Sequence, residues 1–156
     1  MGQQKCCPFF FGEGFMASDA VIESLEQVAE IGDPAPAVYK RLFAEFPELE
    51  SLFVRDRDGA VRGHMFQEMI RALMDMRGNG LYGANLLQVE RVNHEQLGVR
   101  PETYPAIFRI LRDVMRDMLA ASWTGQMEDA WNELLSLIDR LLAPQDGGQA
   151  AAGSRS

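Results

Sequence analysis

His94-Glu95-Gln96-Leu97-Gly98-Val99-Arg100-Pro101-Glu102-Thr103-Tyr104-Pro105 reads as the junction between two helices. A helix running from about Asn85 to Leu97 stops at Gly98, a residue free to take the left-handed backbone of a helix end. Pro101 opens the next helix, which carries Ile107, Phe108, Leu111, Val114, Met115 and Met118 at helical spacing. The same pattern extends outward in both directions. Ser18 can cap a first helix bearing Ala20, Val21, Leu25, Val28 and Ala29, and Gly32-Asp33-Pro34 ends it. Pro36 starts a second helix with Val38, Leu42, Phe43 and Phe46, and Pro47 starts a short third with Leu49, Leu52 and Phe53. A polar connection, Arg55 to Gly59, leads to a fourth helix from Ala60 to Arg77, with Met65, Phe66, Met69, Ile70, Leu73 and Met76 facing inward. Gly78, Gly80 and Gly83 make a loose corner before the fifth. Thr124 caps the last helix, which carries Met127, Ala130, Trp131, Leu134, Ile138 and Leu141. No useful length alternates with period two and no internal repeat is visible, so the class is all-α with about seven helices.

Composition bounds the function. The chain has 156 residues, one domain's worth, and its 47% apolar content supports a packed core. Acidic residues outnumber basic ones 23 to 15, giving a net charge of −8. A field of that sign repels phosphate backbones and anionic headgroups, so neither nucleic acid nor a membrane surface is an expected partner. No apolar run approaches the ~20 residues that span a bilayer. The two cysteines, Cys6 and Cys7, are neighbours and cannot staple a core. Residues 1–16 read as a disordered leader, or as sequence upstream of a start at Met16. They lack the apolar segment of a secretory signal, and position 6 is Cys where a myristoylation signal wants Ser or Thr. Residues 17–143 form the expected domain, and 144–156, with Pro144, Gly147 and Gly148, a flexible tail. The expected location is the cytoplasm.

Motifs for common chemistries are absent: no Gly-rich phosphate loop, no Cys-x-x-Cys, no Gly-x-Ser-x-Gly and no His-Glu-x-x-His. Histidine is scarce. His64 and His94 are the two present, 30 residues apart on helices joined by a turn-back. Such a pair can face a flat ligand from opposite sides, and imidazole is a good ligand for iron in a planar macrocycle. A helix histidine is nevertheless more often a surface or satisfied core residue.

The surroundings of His94 resemble the proximal segment of bacterial globins and the haem domain of flavohaemoglobins. There the haem-ligating His is followed four residues later by Gly-Val, as at Gly98-Val99, and ten residues later by Tyr, as at Tyr104. Val38-Tyr39-Lys40-Arg41-Leu42-Phe43-Ala44-Glu45-Phe46-Pro47-Glu48-Leu49-Glu50-Ser51-Leu52-Phe53 is similar to the family's second and third helices. Asp129-Ala130-Trp131 looks like the start of its last helix. The matches keep the family's order and span most of residues 18–142. The resemblance implies a globin fold, three helices packed over three around haem b. No Cys-x-x-Cys-His is present, so the haem would be held non-covalently.

By that resemblance His94 is the proximal iron ligand and Tyr104 lies beneath the haem, its hydroxyl near the imidazole. Phe53 wedges against the haem face. Tyr39 points into the distal pocket, where a phenol can donate to bound O2. The distal helix leaves two alternatives. His64 can face the iron, donating to a gas or serving as a sixth ligand; it would then bring Glu68, one turn on, toward the haem, which is costly for a charge. Met65 can take that place instead, roughly 100° away on the helix, with Met69 following it inward. A methionine stripe of this kind is core rather than iron ligation.

The implied function is reversible binding of a diatomic gas, O2, NO or CO, for storage, transport or sensing. A further implication is NO dioxygenation with an external reductase, because flavohaemoglobins continue into flavin and nicotinamide domains not found in this sequence. Flavohaemoglobins also place a Glu near the end of the last helix, behind the Tyr-His pair. The corresponding stretch here, around Asp146, has none, which puts strong electron donation through His94 in doubt. Globins often pair through helix faces, which makes a homodimer compatible with the family. A haem-free globin-fold interaction or regulatory module is the alternative.

Overall fold

A computed structural model describes residues 14–76 and 81–143, with the backbone alone for 14–18. Six α-helices and two 3-10 segments make up these residues, and no strand occurs among them. In chain order they are α1 (Gly14–Ile31), α2 (Ala35–Glu45), a 3-10 segment (Pro47–Phe53), α3 (Ala60–Asp75), α4 (Leu81–Gln96), α5 (Ala106–Leu119), a single 3-10 turn (Ala120–Ser122) and α6 (Gly125–Leu142). The first 3-10 segment is the short third helix of the sequence reading. None of the helices described is long and apolar enough to cross a membrane.

α5 organises the packing. Its apolar residues recur at helical spacing, and Phe108, Ile110, Leu111, Val114, Met115 and Leu119 are all buried. Helices α1, α2 and α6 lie against it, while α1 also packs along α6, and α3 packs along α4. Trp131 on α6 is fully buried, and its indole Nε1 donates to Ser24 Oγ of α1 at 2.9 Å. Ser24 in turn donates to the Val21 carbonyl at 2.6 Å, so no polar atom of this buried pair lacks a partner.

The helix ends follow local chemistry. Thr124 caps α6 as expected, its hydroxyl accepting the Met127 N–H at 3.1 Å. Gly98 ends α4 with φ +89°. The Val99 N–H bonds back to the His94 carbonyl and the Gly98 N–H to the Glu95 carbonyl, each at 3.0 Å, the paired closure of a Schellman end.

Three expectations are corrected. α1 begins at Gly14, so Ser18 lies inside the helix and does not cap it, and residues 14–16 are helical where a leader was expected. Residues 1–13, with Cys6 and Cys7, and the tail 144–156 lie outside the described residues. α5 begins at Ala106 rather than Pro101. Pro105 disfavours helical backbone at Tyr104, so residues 101–105 form successive turns. Gly83 is not part of a loose corner but buried within α4, which starts at Leu81. A Cβ on Gly83 would stand 2.4 Å from the Ala72 carbonyl oxygen of α3 and 2.9 Å from Met76 Cγ. Glycine here lets the α3 and α4 backbones touch, and the Asp75 carboxylate accepts the Gly83 N–H at 2.7 Å across the same junction.

Gly83→Ala tests this contact. Alanine gains roughly 0.5–1 kcal/mol of helix propensity over glycine. The clash with backbone outweighs it, at about 1–3 kcal/mol for overpacking. A lower thermal midpoint by circular dichroism is expected, and an unchanged or raised midpoint would contradict the contact.

Candidate functional site

A cavity of about 630 Å³ opens between α2, the Pro47–Phe53 segment, α3, α4 and the start of α5. That volume suits a cofactor-sized ligand. Every residue singled out in the sequence lines it: Tyr39, Phe53, His64, Met65, Met69, His94 and Tyr104. Residues distant in the chain thus converge on one space.

The α4 wall presents His94. Its Nδ1 lies 2.7 Å from the Glu90 carbonyl oxygen one turn earlier. A carbonyl only accepts, so the contact assigns the proton to Nδ1 and leaves the Nε2 lone pair free. The Schellman closure grips the carbonyl of the same residue. Backbone and ring of His94 are therefore both fixed. Tyr104, set by the proline-framed turns, packs its ring against the imidazole with centroids 4.9 Å apart. Phe108 meets Tyr104 edge-on at 6.1 Å. Burial, with a smaller contribution from the Glu90 carboxylate, pushes the Tyr104 phenol well above its ordinary range. Tyr104 is neutral and acts here as a ring wall.

On the opposite wall, Met69 and Ala72 of α3 are buried and Met65 is half-buried. His64 lines the same cavity but is exposed, which puts it at the mouth. Glu68 also reaches the cavity and pairs with Arg71 at 2.7 Å, a cation on its solvent side. The apolar inner face is thus Met65-Met69-Ala72, one helical stripe.

Tyr39 differs from expectation in one respect. Its ring lines the cavity, and it is 4% exposed, but its hydroxyl donates to the Arg62 carbonyl of α3 at 3.1 Å. The donor is engaged rather than free. Tyr39, Phe43 and Phe53 form an aromatic cluster with centroids 5.4–5.9 Å apart. Burial pushes the Tyr39 phenol up to about 12 despite the Arg62 cation.

Sequence reading missed Asp56, Thr103 and Glu90. Asp56 is buried, and one carboxylate oxygen accepts the Val61 N–H at 2.9 Å. Its other oxygen accepts the Arg62 N–H at 3.0 Å and Arg62 Nε at 2.9 Å. Burial raises its pKa, but these donors and the Arg62 charge hold the carboxyl below its usual range. Asp56 thereby closes the start of α3 from four residues upstream, and a stretch that reads as polar linker is a built corner. Thr103 is 2% exposed on the cavity wall, and its hydroxyl oxygen has no partner among the described residues. The signal for Glu90 was its position, one turn before His94 on the same helix face.

An all-α fold with a largely apolar cavity and one oriented imidazole in its wall offers a nitrogen donor in an apolar surround. The chain belongs to the globin family, whose model matches residues 36–140. It is also similar to a flavohemoprotein of Rhizobium meliloti (strain 1021), 29% identical over 114 residues, 67% of this chain and 26% of the relative. The chain spans about a quarter of that protein's length. No solved structure matches it. The family implies haem binding, and the residues fit: His94, its Nδ1 engaged and its Nε2 left free, and apolar walls line one cavity.

Tyr39→Phe tests the α2–α3 tie. At pH 8 the wild type should be more stable by about 0.5–1.5 kcal/mol, one hydrogen bond. The folded pKa of about 12 exceeds the ordinary 10. The unfolded chain therefore loses its phenol proton first, and the folded state loses about 1.4 kcal/mol per pH unit as pH rises from 10 to 12. The advantage over Tyr39→Phe should shrink in that window in urea unfolding, and a difference independent of pH would contradict the assignment.

Proposed function

We propose that this chain binds haem b non-covalently, with His94 as the iron ligand, and reversibly binds O2, NO or CO. The observation that supports it most is the His94 Nδ1 contact to the Glu90 carbonyl, which presents Nε2 to the cavity in the tautomer a metal requires. When bound, haem would supply an iron centre able to take a diatomic gas. The chain's residues do the rest. Tyr104 and Phe53 hold the group between aromatic edges, and Arg55, exposed at the mouth, offers a cation to its carboxylates. Met65 and Met69 keep the distal side dry and leave Tyr39 as the phenol that can turn toward a ligand by releasing Arg62. His64, at the mouth, is the alternative distal group.

Storage, transport or sensing needs only this site. NO dioxygenation is the second reading, favoured by the flavohemoprotein likeness, and it requires a source of electrons to return the iron to ferrous. Nitrate formation from NO that appears only on adding a reductase would support it.

Absorption spectra of the purified protein, supplied with haem and then reduced, test the main proposal. A Soret band that shifts on reduction and again under CO is expected. His94→Ala should lose the reduced and CO-bound signatures while keeping its helical circular dichroism. Split visible bands in the reduced form before CO would place His64 on the iron; one broad band would mean an open site. No Soret band after haem addition would overturn the proposal and favour a haem-free interaction module.

A further inference from the structure

Glu90 contributes twice to the environment of His94. Its backbone carbonyl accepts the Nδ1 proton at 2.7 Å, and its carboxylate Oε2 stands 3.8 Å from the same nitrogen. The second distance is too long for a hydrogen bond, so the carboxylate acts through space. It is held there: Asn93 Nδ2 donates to Glu90 Oε1 at 3.2 Å. No lysine or arginine pairs with it among the described residues. The neighbouring Arg91 is committed to Glu95 at 2.6 Å. Glu90 also lines the cavity, where apolar walls weaken solvent screening on one side, although its side chain is 38% exposed. A charge at this position in a ligand-binding helix serves no packing purpose, since an apolar residue would fill the wall better.

We infer that Glu90 is a positioning residue whose carboxylate makes the His94 imidazole a more electron-rich metal ligand and so favours the oxidised state of a bound iron centre. The inference rests on the proposed role of His94. A negative charge beside the Nδ1–H stabilises positive charge that the ring takes on when Nε2 donates to a metal. That positive charge is larger on the ferric ion, so the ferric form gains more. The carbonyl contact fixes the ring; the carboxylate sets its basicity. Substituting the side chain separates the two, because the carbonyl remains.

The test is a redox titration of the haem-loaded full chain, followed by the Soret band. Glu90→Gln keeps size and hydrogen bonding but removes the charge. It should shift the ferric-to-ferrous ratio at fixed potential toward ferrous by up to about tenfold, a rise of about 59 mV in midpoint. Glu90→Asp should restore part of the difference, and Asn93→Ala, which frees the carboxylate without removing it, should move the midpoint the same way by less. Glu133→Gln, an exposed charge deletion on α6 remote from the cavity, controls for net charge. The iron–histidine stretch of the reduced protein should fall in Glu90→Gln, a change that looser packing alone would not make track the midpoint. Equal midpoints in wild type and Glu90→Gln, or an equal shift in Glu133→Gln, would overturn the inference while leaving haem binding intact. Failure of the wild type to bind haem would instead overturn the reading of His94.

Discussion

The site depends on the end of α4. His94 sits one turn from a helix terminus, where backbone normally frays. Two closures prevent that. Gly98, at φ +89°, turns the chain so that Val99 returns its N–H to the His94 carbonyl. The ring meanwhile spends its Nδ1 proton on the Glu90 carbonyl. A residue with a Cβ at Gly98 would strain the left-handed turn and loosen the backbone of His94 itself. The turns at Pro101 and Pro105 follow directly and place Tyr104 against the same imidazole, with Thr103 on the cavity wall. One short stretch thus sets both His94 and the wall behind it.

The rest of the fold keeps that stretch at a fixed distance from the opposite wall. α4 cannot drift from α3, because Gly83 admits the Ala72 carbonyl to a contact that any side chain would block. α3 is fixed at its start by Asp56, whose buried carboxylate takes two backbone N–H groups and the Arg62 side chain. The Tyr39 hydroxyl then ties α2 to the same turn of α3. On the far side of α5, the Trp131–Ser24 bond locks α6 to α1. The cavity is therefore bounded by contacts that are individually modest but share residues, so loosening one wall loosens its neighbour.

Much of this was legible in the sequence, for local reasons. Helix ends at Gly98 and Thr124 are decided by a few adjacent residues, and both stand where expected. Tyr39, Phe53, His64, Met65, Met69, His94 and Tyr104 line one cavity; helical spacing alone did not bring them together, and it was the resemblance of the His94 and Tyr39 segments to bacterial globins that implied a shared pocket. What escaped depends on contacts distant in the chain. Gly83 reads as a flexible corner until α3 is placed against it, and Asp56 reads as linker until the start of α3 folds back over it. Glu90 looks like a solvent-facing charge until the cavity forms beside it. The side of α3 that faces inward was ambiguous because His64 and Met65 are adjacent; both line the cavity, His64 exposed at its mouth and Met65 half-buried on the stripe that continues to Met69 and Ala72.

On the proposed reading, the engaged state of Tyr39 sets a threshold for any ligand on the distal side. Its hydroxyl already has an acceptor in the Arg62 carbonyl, so turning into the cavity exchanges one hydrogen bond for another. Against a neutral, weakly polar ligand such as CO the exchange gains nothing, since a backbone carbonyl is the better acceptor. A ligand that takes on negative charge offers a charge-assisted bond of about twice the strength, and the low-dielectric wall of Met65 and Met69 magnifies the difference. With the phenol pushed up to about 12, it reaches the ligand as a proton-bearing donor and never as a competing anion at neutral pH. On the proposed reading the α2–α3 tie therefore discriminates among gases by the charge they accept, with the Arg62 carbonyl as the competing acceptor.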